Sequence, residues 1–211
     1  MAIETTLVDH PVCTDALARI RDRDTPTALV RQNLDRIGGL LIAEATKDLP
    51  TVDGTVETPL TTAPARRIAV QPVVVPILRA GLGFVGPAQE LLPNADIGFI
   101  GMARNEETHQ PEPYVNKLPE SLADRPVIVL DPMLATGGSL ISAVELLLTR
   151  GAPTPITVVC ALAAPEGIQA LDAAGLSIRL ITAAIDDHLN EHAFIVPGLG
   201  DAGDRQFGTP A

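Results

Sequence analysis

The sequence predicts an α/β fold, a parallel sheet flanked by helices. Three observations carry this. Short apolar runs at 73–78, 127–130 and 156–162 lack the alternation of a half-wet strand, so they read as strands buried on both faces. Stretches of helical spacing separate them in a βαβ rhythm. The glycine-bearing loops follow those runs, where a parallel sheet opens its binding crevice.

Along the chain, residues 14–23 and 26–48 read as helices. In the second, Leu29, Val30, Leu34, Ile37, Leu40 and Leu41 recur at helical spacing after a Thr25-Pro26 start signal. Segment 50–60 reads as a hairpin turning at Asp53-Gly54, between Val52 and Val56. It is either an arm that pairs with another subunit or a simple edge hairpin. Then come a strand at 73–78, a helix at 84–92 and a strand at 97–102. The polar, proline-containing stretch 105–119 reads as a long loop. A strand at 127–130 precedes a helix at 140–150, a strand at 156–162, a helix at 165–174 and a strand at 178–183. The tail, 194–211, is glycine-rich and irregular.

The 211 residues suffice for one domain with a sizeable core. With 46% hydrophobic and 19% charged residues, the chain is not of the disordered class. Aromatics at 2%, no Trp and a net charge of -11 leave neither a stacking platform nor a basic footprint, so no nucleic-acid partner is expected. The cations are almost all Arg; Lys47 and Lys117 are the lysines. Cys13 and Cys160 fit no metal or redox spacing and read as buried thiols in a reducing cytoplasm. The first residues have neither a basic nor an apolar leader pattern, so no signal peptide is expected. No apolar run reaches the ~18 residues of a membrane span.

The most informative stretch is 127–139. An apolar strand ends on Asp131; Pro132, Met133 and Leu134 lead into the small-residue loop Ala135-Thr136-Gly137-Gly138-Ser139, and a helix follows. Converging loop amides and the unpaired amides of a first helical turn attract an anion, and Thr136 and Ser139 add hydroxyls. An acid beside a phosphate cradle calls for a further ligand group. A sugar diol fits, because a carboxylate accepts from two neighbouring hydroxyls.

Two motifs point elsewhere. Gly81-Leu82-Gly83-Phe84-Val85-Gly86 spells a dinucleotide fingerprint, with Glu106 and Glu107 about twenty residues on. Arg79 in the preceding turn has no role in that motif, and the acids lie in a polar loop. His188-Leu189-Asn190-Glu191-His192 spells a zinc-peptidase pattern. It runs within two residues into Ile195-Val196-Pro197, too soon for both His to share a long helix face.

Residues 131–139 resemble the 5-phosphoribosyl 1-diphosphate (PRPP) motif of the type I phosphoribosyltransferases. The variant here is similar to that of the uracil phosphoribosyltransferases. Two more segments match that family: Pro76-Ile77-Leu78-Arg79-Ala80-Gly81-Leu82-Gly83, its pyrophosphate loop, and the 194–204 segment, its uracil loop. The likeness is firmest from Val75 onward and weakest over 51–72. It implies a type I phosphoribosyltransferase-like sheet, an N-terminal helical and hairpin arm, and a small hood formed mainly by the C-terminal segment. The single domain spans 1–211, with its core at 68–184 and the hood at 185–211.

The resemblance also implies chemistry. Uracil and PRPP give UMP and diphosphate in pyrimidine salvage. Arg79, Arg104, Asp131 and Asp201 are the expected catalytic residues. PRPP falls on these four and on Pro132, Met133, Leu134, Ala135, Thr136, Gly137, Gly138 and Ser139. Uracil falls on Ile195, Gly200, Asp201 and Ala202, largely through main-chain groups that tell uracil from cytosine at O4. Mg²⁺ is the expected cofactor, held mainly by PRPP and water with no dedicated protein ligands. The loop after Arg104 resembles a flap that closes over the site. The family implies a homodimer or higher homo-oligomer, and GTP as an effector in some members. One departure stands out: Phe194 occupies a position where Tyr is expected. The rival from another class is a non-catalytic PRPP-sensing regulator of the same fold, which needs a nucleic-acid surface.

Overall fold

The computed structural model describes residues 3–104 and 111–208. The chain opens with β1 (Glu4–Leu7), α1 (Pro11–Arg21) and α2 (Thr27–Thr46). A hairpin follows, β2 (Thr51–Glu57) and β3 (Thr62–Ile68). Then come β4 (Val73–Leu78), a 3₁₀ turn (Ala80–Phe84), α3 (Val85–Leu91), β5 (Asp96–Ile97), β6 (Phe99–Arg104) and β7 (Pro111–Lys117). The second half runs β8 (Val127–Leu130), β9 (Met133–Leu134), α4 (Gly138–Thr149), β10 (Ile156–Ala163), α5 (Pro165–Ala173) and β11 (Ile178–Ile185). It closes with β12 (His188–Leu189), β13 (Ile195–Val196) and α6 (Ala202–Phe207).

The main sheet has the order β1-β11-β10-β8-β4-β6-β7, with β5 on β4 and β9 on β10. All its pairings are parallel except β6–β7. Successive strand residues alternate between the two faces. Val74, Ile128, Leu130, Val159 and Ile181 join the layer under α1, α2 and α3. Val73, Val75, Val127, Val129 and Val158 join the layer under α4 and α5. Both faces are therefore dry, which is why these strands are continuous apolar runs.

Three expectations need correction, besides the tail read as irregular from 194 onward, which carries β13 and the helix α6. The stretch 105–119 is not all loop, since Pro111–Lys117 pairs antiparallel with β6 as an edge strand. An edge needs half the ladder bonds, so it tolerates Pro111 and Pro113. Of the loop expected to act as a flap, residues 105–110 lie outside the described residues. The hairpin exists but turns at 58–61, and Gly54 sits mid-strand opposite Ala65. Thr58 decides the turn: its hydroxyl oxygen accepts from the Leu60 and Thr61 amides at 3.2 and 3.1 Å, with Pro59 presetting the corner. The third is β1, read from sequence as no element. It is a short, polar edge strand whose pairing with β11 comes only from tertiary contact. Among the described residues, no helix is long and apolar enough to cross a membrane.

Candidate active site

The loop after β8 is shaped by main-chain pairing. The Asp131 amide donates to Val159 O at 3.1 Å, and the Ala161 and Leu162 amides both donate to Pro132 O. Met133–Leu134 then adds to β10 as β9. Gly137 caps α4 with φ +82°, a left-handed conformation that other residues adopt only at a cost. Its carbonyl accepts from Ile141 N–H at 2.9 Å. The amides before Ile141 have no acceptor within the helix. Asp131, Met133, Leu134, Ala135, Thr136, Gly137, Gly138 and Ser139 line one small cavity of about 100 Å³ at this helix start. Pro132 is buried beneath it.

Asp131 is half-buried, and desolvation pushes its carboxyl up to about 7, against a weak pull from the Met133 amide at 3.4 Å. Burial raises the neighbouring Cys160 thiol well above its ordinary value, and the Asp131 charge adds to that. Cys160 is therefore an inert, protonated thiol of the sheet core.

Arg79 follows β4, after a cis Leu78–Arg79 peptide. Its guanidinium is largely exposed and lies 3.6 Å from Asp204 of α6. Leu78, Arg79, Ala80, Met102, Tyr114, Asp201 and Gly203 line a second, polar bay of about 350 Å³. Arg104 ends β6 opposite Pro111, at the same strand-end side of the sheet.

Two of the fingerprint glycines, Gly81 and Gly83, serve packing. A Cβ on Gly81 would overlap the Leu130 carbonyl oxygen and lie 3.1 Å from Pro76. Instead of a helix start there is a 3₁₀ turn over residues 80–84, with α3 beginning only at Val85. The dinucleotide motif needs the helix itself to open at the glycines, so its geometry is not met.

The third wall comes from the end of the chain. β12 and β13 form a hairpin, so His188 stands on a strand and His192 in the turn rather than on one helix. Asn190 holds that turn, its side-chain oxygen accepting from the His192 and Phe194 amides at 3.0 and 2.9 Å. Glu166 accepts from Leu189 N at 2.9 Å, and this bond holds its carboxyl below the ordinary range. Asp201 caps α6 by accepting from Asp204 N at 2.9 Å. Ile195, Gly200, Asp201 and Ala202 share a cavity of about 280 Å³ with Ala80, Met133, Ala135 and Phe194. Gln206, fully buried, bridges two walls: its amide donates to Ala80 O at 3.1 Å and Ala202 O at 2.8 Å.

The structure thus brings together Asp131, the 133–139 loop, Arg79, Asp201 and the 195–202 segment. Sequence reasoning missed Ala80, Tyr114 and Gln206. Ala80 lies within a matched loop, whereas Tyr114 stood in a presumed loop. A buried Gln one turn into a short helix carries no sequence signal.

Comparison with known proteins gives a consistent picture. The model of the family described as uracil phosphoribosyltransferase matches residues 7–209. The uracil phosphoribosyltransferase of Corynebacterium efficiens is 50% identical over 206 residues, covering 98% of this chain and 97% of that protein. The solved structure of the AQ2163 protein from Aquifex aeolicus superposes with a TM-score of 0.91 at 36% identity, covering 98% of this chain and 99% of that one. A hypoxanthine phosphoribosyltransferase from Staphylococcus aureus shares the fold alone, with a TM-score of 0.51 at 17% identity over 75% of this chain and 76% of that one.

Proposed function

The chain belongs to the uracil phosphoribosyltransferase family, and from that premise we propose how it converts uracil and PRPP to UMP and diphosphate in pyrimidine salvage. One observation carries the site assignment. Met133 and Ala135 of the 131–139 loop line the same cavity as Ile195, Gly200, Asp201 and Ala202. A base in that cavity stands beside a sugar phosphate held at the α4 start, as bond formation between uracil N1 and ribose C1 requires.

The 5′-phosphate sits on the 135–139 amides and hydroxyls, with Asp131 accepting from the ribose hydroxyls over Pro132, Met133 and Leu134. Arg79, and by the family resemblance Arg104 at the end of β6, are assigned to the departing diphosphate. A transition state with oxocarbenium character gathers negative charge on that group, and guanidinium groups brought to it act where the charge develops. Arg79, half-engaged by Asp204, is poised to turn into the polar bay it already lines. Ile195, Gly200, Asp201 and Ala202 present main-chain groups to the uracil edge. Asp201 also reaches toward PRPP, through the bay it shares with Arg79. The core at 68–184 carries PRPP, and 185–211 forms the hood over the base.

Mg²⁺ belongs to this reading, held mainly by PRPP oxygens and water, ligands that Mg²⁺ commonly keeps. When bound, it neutralises charge on the diphosphate. Self-association is part of the reading and is supported by the β2–β3 hairpin, where Val52 and Val56 lie exposed. A GTP effector and a cytoplasmic setting rest on the family likeness, the latter also on two buried free thiols.

The test is UMP formation from uracil, PRPP and Mg²⁺, run beside cytosine, orotate and hypoxanthine. Product from uracil alone, abolished by EDTA, is expected. PRPP binding without product from any base would replace this reading with that of a non-catalytic sensor.

A further inference from the structure

The uracil loop is gripped from behind by the N-terminal helices. Arg21, the last residue of α1, forms a two-pronged ion pair with Asp186, Nη2 to Oδ1 at 2.6 Å and Nη1 to Oδ2 at 2.8 Å. The same two groups hold both main-chain atoms of Gly198. Its amide donates to Asp186 Oδ2 at 2.9 Å, and its carbonyl accepts from Arg21 Nη1 at 2.9 Å. Gly198 has φ +61°, and a Cβ there would overlap the Ile195 carbonyl oxygen. The turn therefore requires glycine, and the ion pair holds both of its main-chain polar groups.

Asp186 is itself anchored, its amide donating to Ala163 O at 2.9 Å at the end of β10. Its side chain is 4% exposed. Burial pushes its carboxyl up, but the Arg21 and Gly198 bonds outweigh that and hold it below the ordinary range. A second tie runs in parallel. Arg205 of α6 donates to Leu199 O at 3.1 Å and to Asp22 O, just past α1, at 2.7 Å. Two consecutive carbonyls of the loop, Gly198 and Leu199, are thus bound to the α1 end. Gly200 and Asp201 follow directly and line the cavity.

We infer that Arg21 and Asp186 are positioning residues for the base: their ion pair seats the Gly198 turn and thereby sets where the 200–202 main chain meets uracil. Neither lines the cavity, so they act through the loop. The inference rests on 195–202 being the uracil site. Main-chain recognition makes the brace matter, because a rigid hydrogen-bonding edge misplaced by about 1 Å costs on the order of 100-fold.

The experiment is steady-state kinetics of wild type, Arg21→Gln, Asp186→Asn and Arg21→Lys, varying uracil and PRPP separately, with thermal midpoints alongside. Wild-type turnover tests the uracil reading itself; only the variants test the brace. The expected result is a uracil KM raised about tenfold or more in Arg21→Gln and Asp186→Asn, with the PRPP KM within about twofold. Arg21→Lys keeps the charge but loses the fork, so it should recover part of the effect. If the first two variants do not fold, the same skew toward uracil KM in Arg21→Lys supports the brace, and its absence there overturns it. A lowered midpoint with both KM values unchanged, or both rising together, also overturns the inference.

Discussion

Replacing Asp131 with Asn should make the protein more stable while disabling it, and the gain should grow with pH. The carboxyl is desolvated at the end of β8, which pushes its pKa up to about 7 from the model-compound value of 3.8. In the unfolded chain it ionises at the ordinary value. Between those two values the folded protein holds a proton that the unfolded chain has released. The Asp131 contribution to stability therefore falls as pH rises from about 4 to about 7, and stays flat above that. At about 1.36 kcal/mol per pH unit, the loss between pH 5.5 and pH 8 comes to about 2 kcal/mol. The residue is half-buried, so solvent screening trims this to about 1–2 kcal/mol. Asn keeps the shape without the charge. The assay is urea unfolding of both proteins at pH 5.5, 7 and 8, at one protein concentration, without ligand. Other titrating groups cancel in the difference. A gap that stays constant across this range would refute the idea that folding holds the Asp131 carboxyl desolvated. In parallel, Asp131→Asn should lose most UMP formation, because the ribose hydroxyls lose their charged acceptor.

Other perturbations probe the remaining walls. In wild type, kcat/KM for PRPP should fall as pH drops below about 7, where Asp131 gains its proton; a pH profile flat from 6 to 8 would count against its ionised role. Gly81→Ala forces a methyl against the Leu130 carbonyl, so it should cost about 1–3 kcal/mol in urea unfolding and disturb the Arg79 loop; unchanged stability would mean that the backbone yields freely. Arg79→Gln should cut kcat with PRPP on the order of 100-fold, the scale of losing one charge-stabilising donor; near-normal turnover would remove Arg79 from the diphosphate site. Phe194→Tyr puts a hydroxyl at the cavity rim and should change the ratio of rates for uracil and 5-fluorouracil, whereas equal ratios in both proteins would sink that role for Phe194.

By itself the sequence determined the parallel core and the glycine-rich turn into α4. Both rest on local rules: an apolar run between turn signals is a strand with two dry faces, and a glycine-rich strand-to-helix turn exposes amides. The end of β8 at Asp131 and the left-handed Gly137 before α4 were legible for that reason, whereas the 195–202 segment was singled out through the family resemblance. The turn of the hairpin was misread at Asp53-Gly54, because Thr58-Pro59 is a turn former as well. Only the closed hydroxyl-to-amide bonds of Thr58 separate them. The sequence also left β1 unread and made β7 part of a loop, since a short polar or proline-bearing edge takes its shape from the strand beside it. Only the tertiary structure decided which distant residues support the site. Arg21 at a helix end reads as a partner for the helix dipole, and nothing near it in sequence points to Asp186, 165 residues away. An ion pair closed across that separation exists only once α1 and the C-terminal hairpin pack against the same sheet, so no local pattern encodes it.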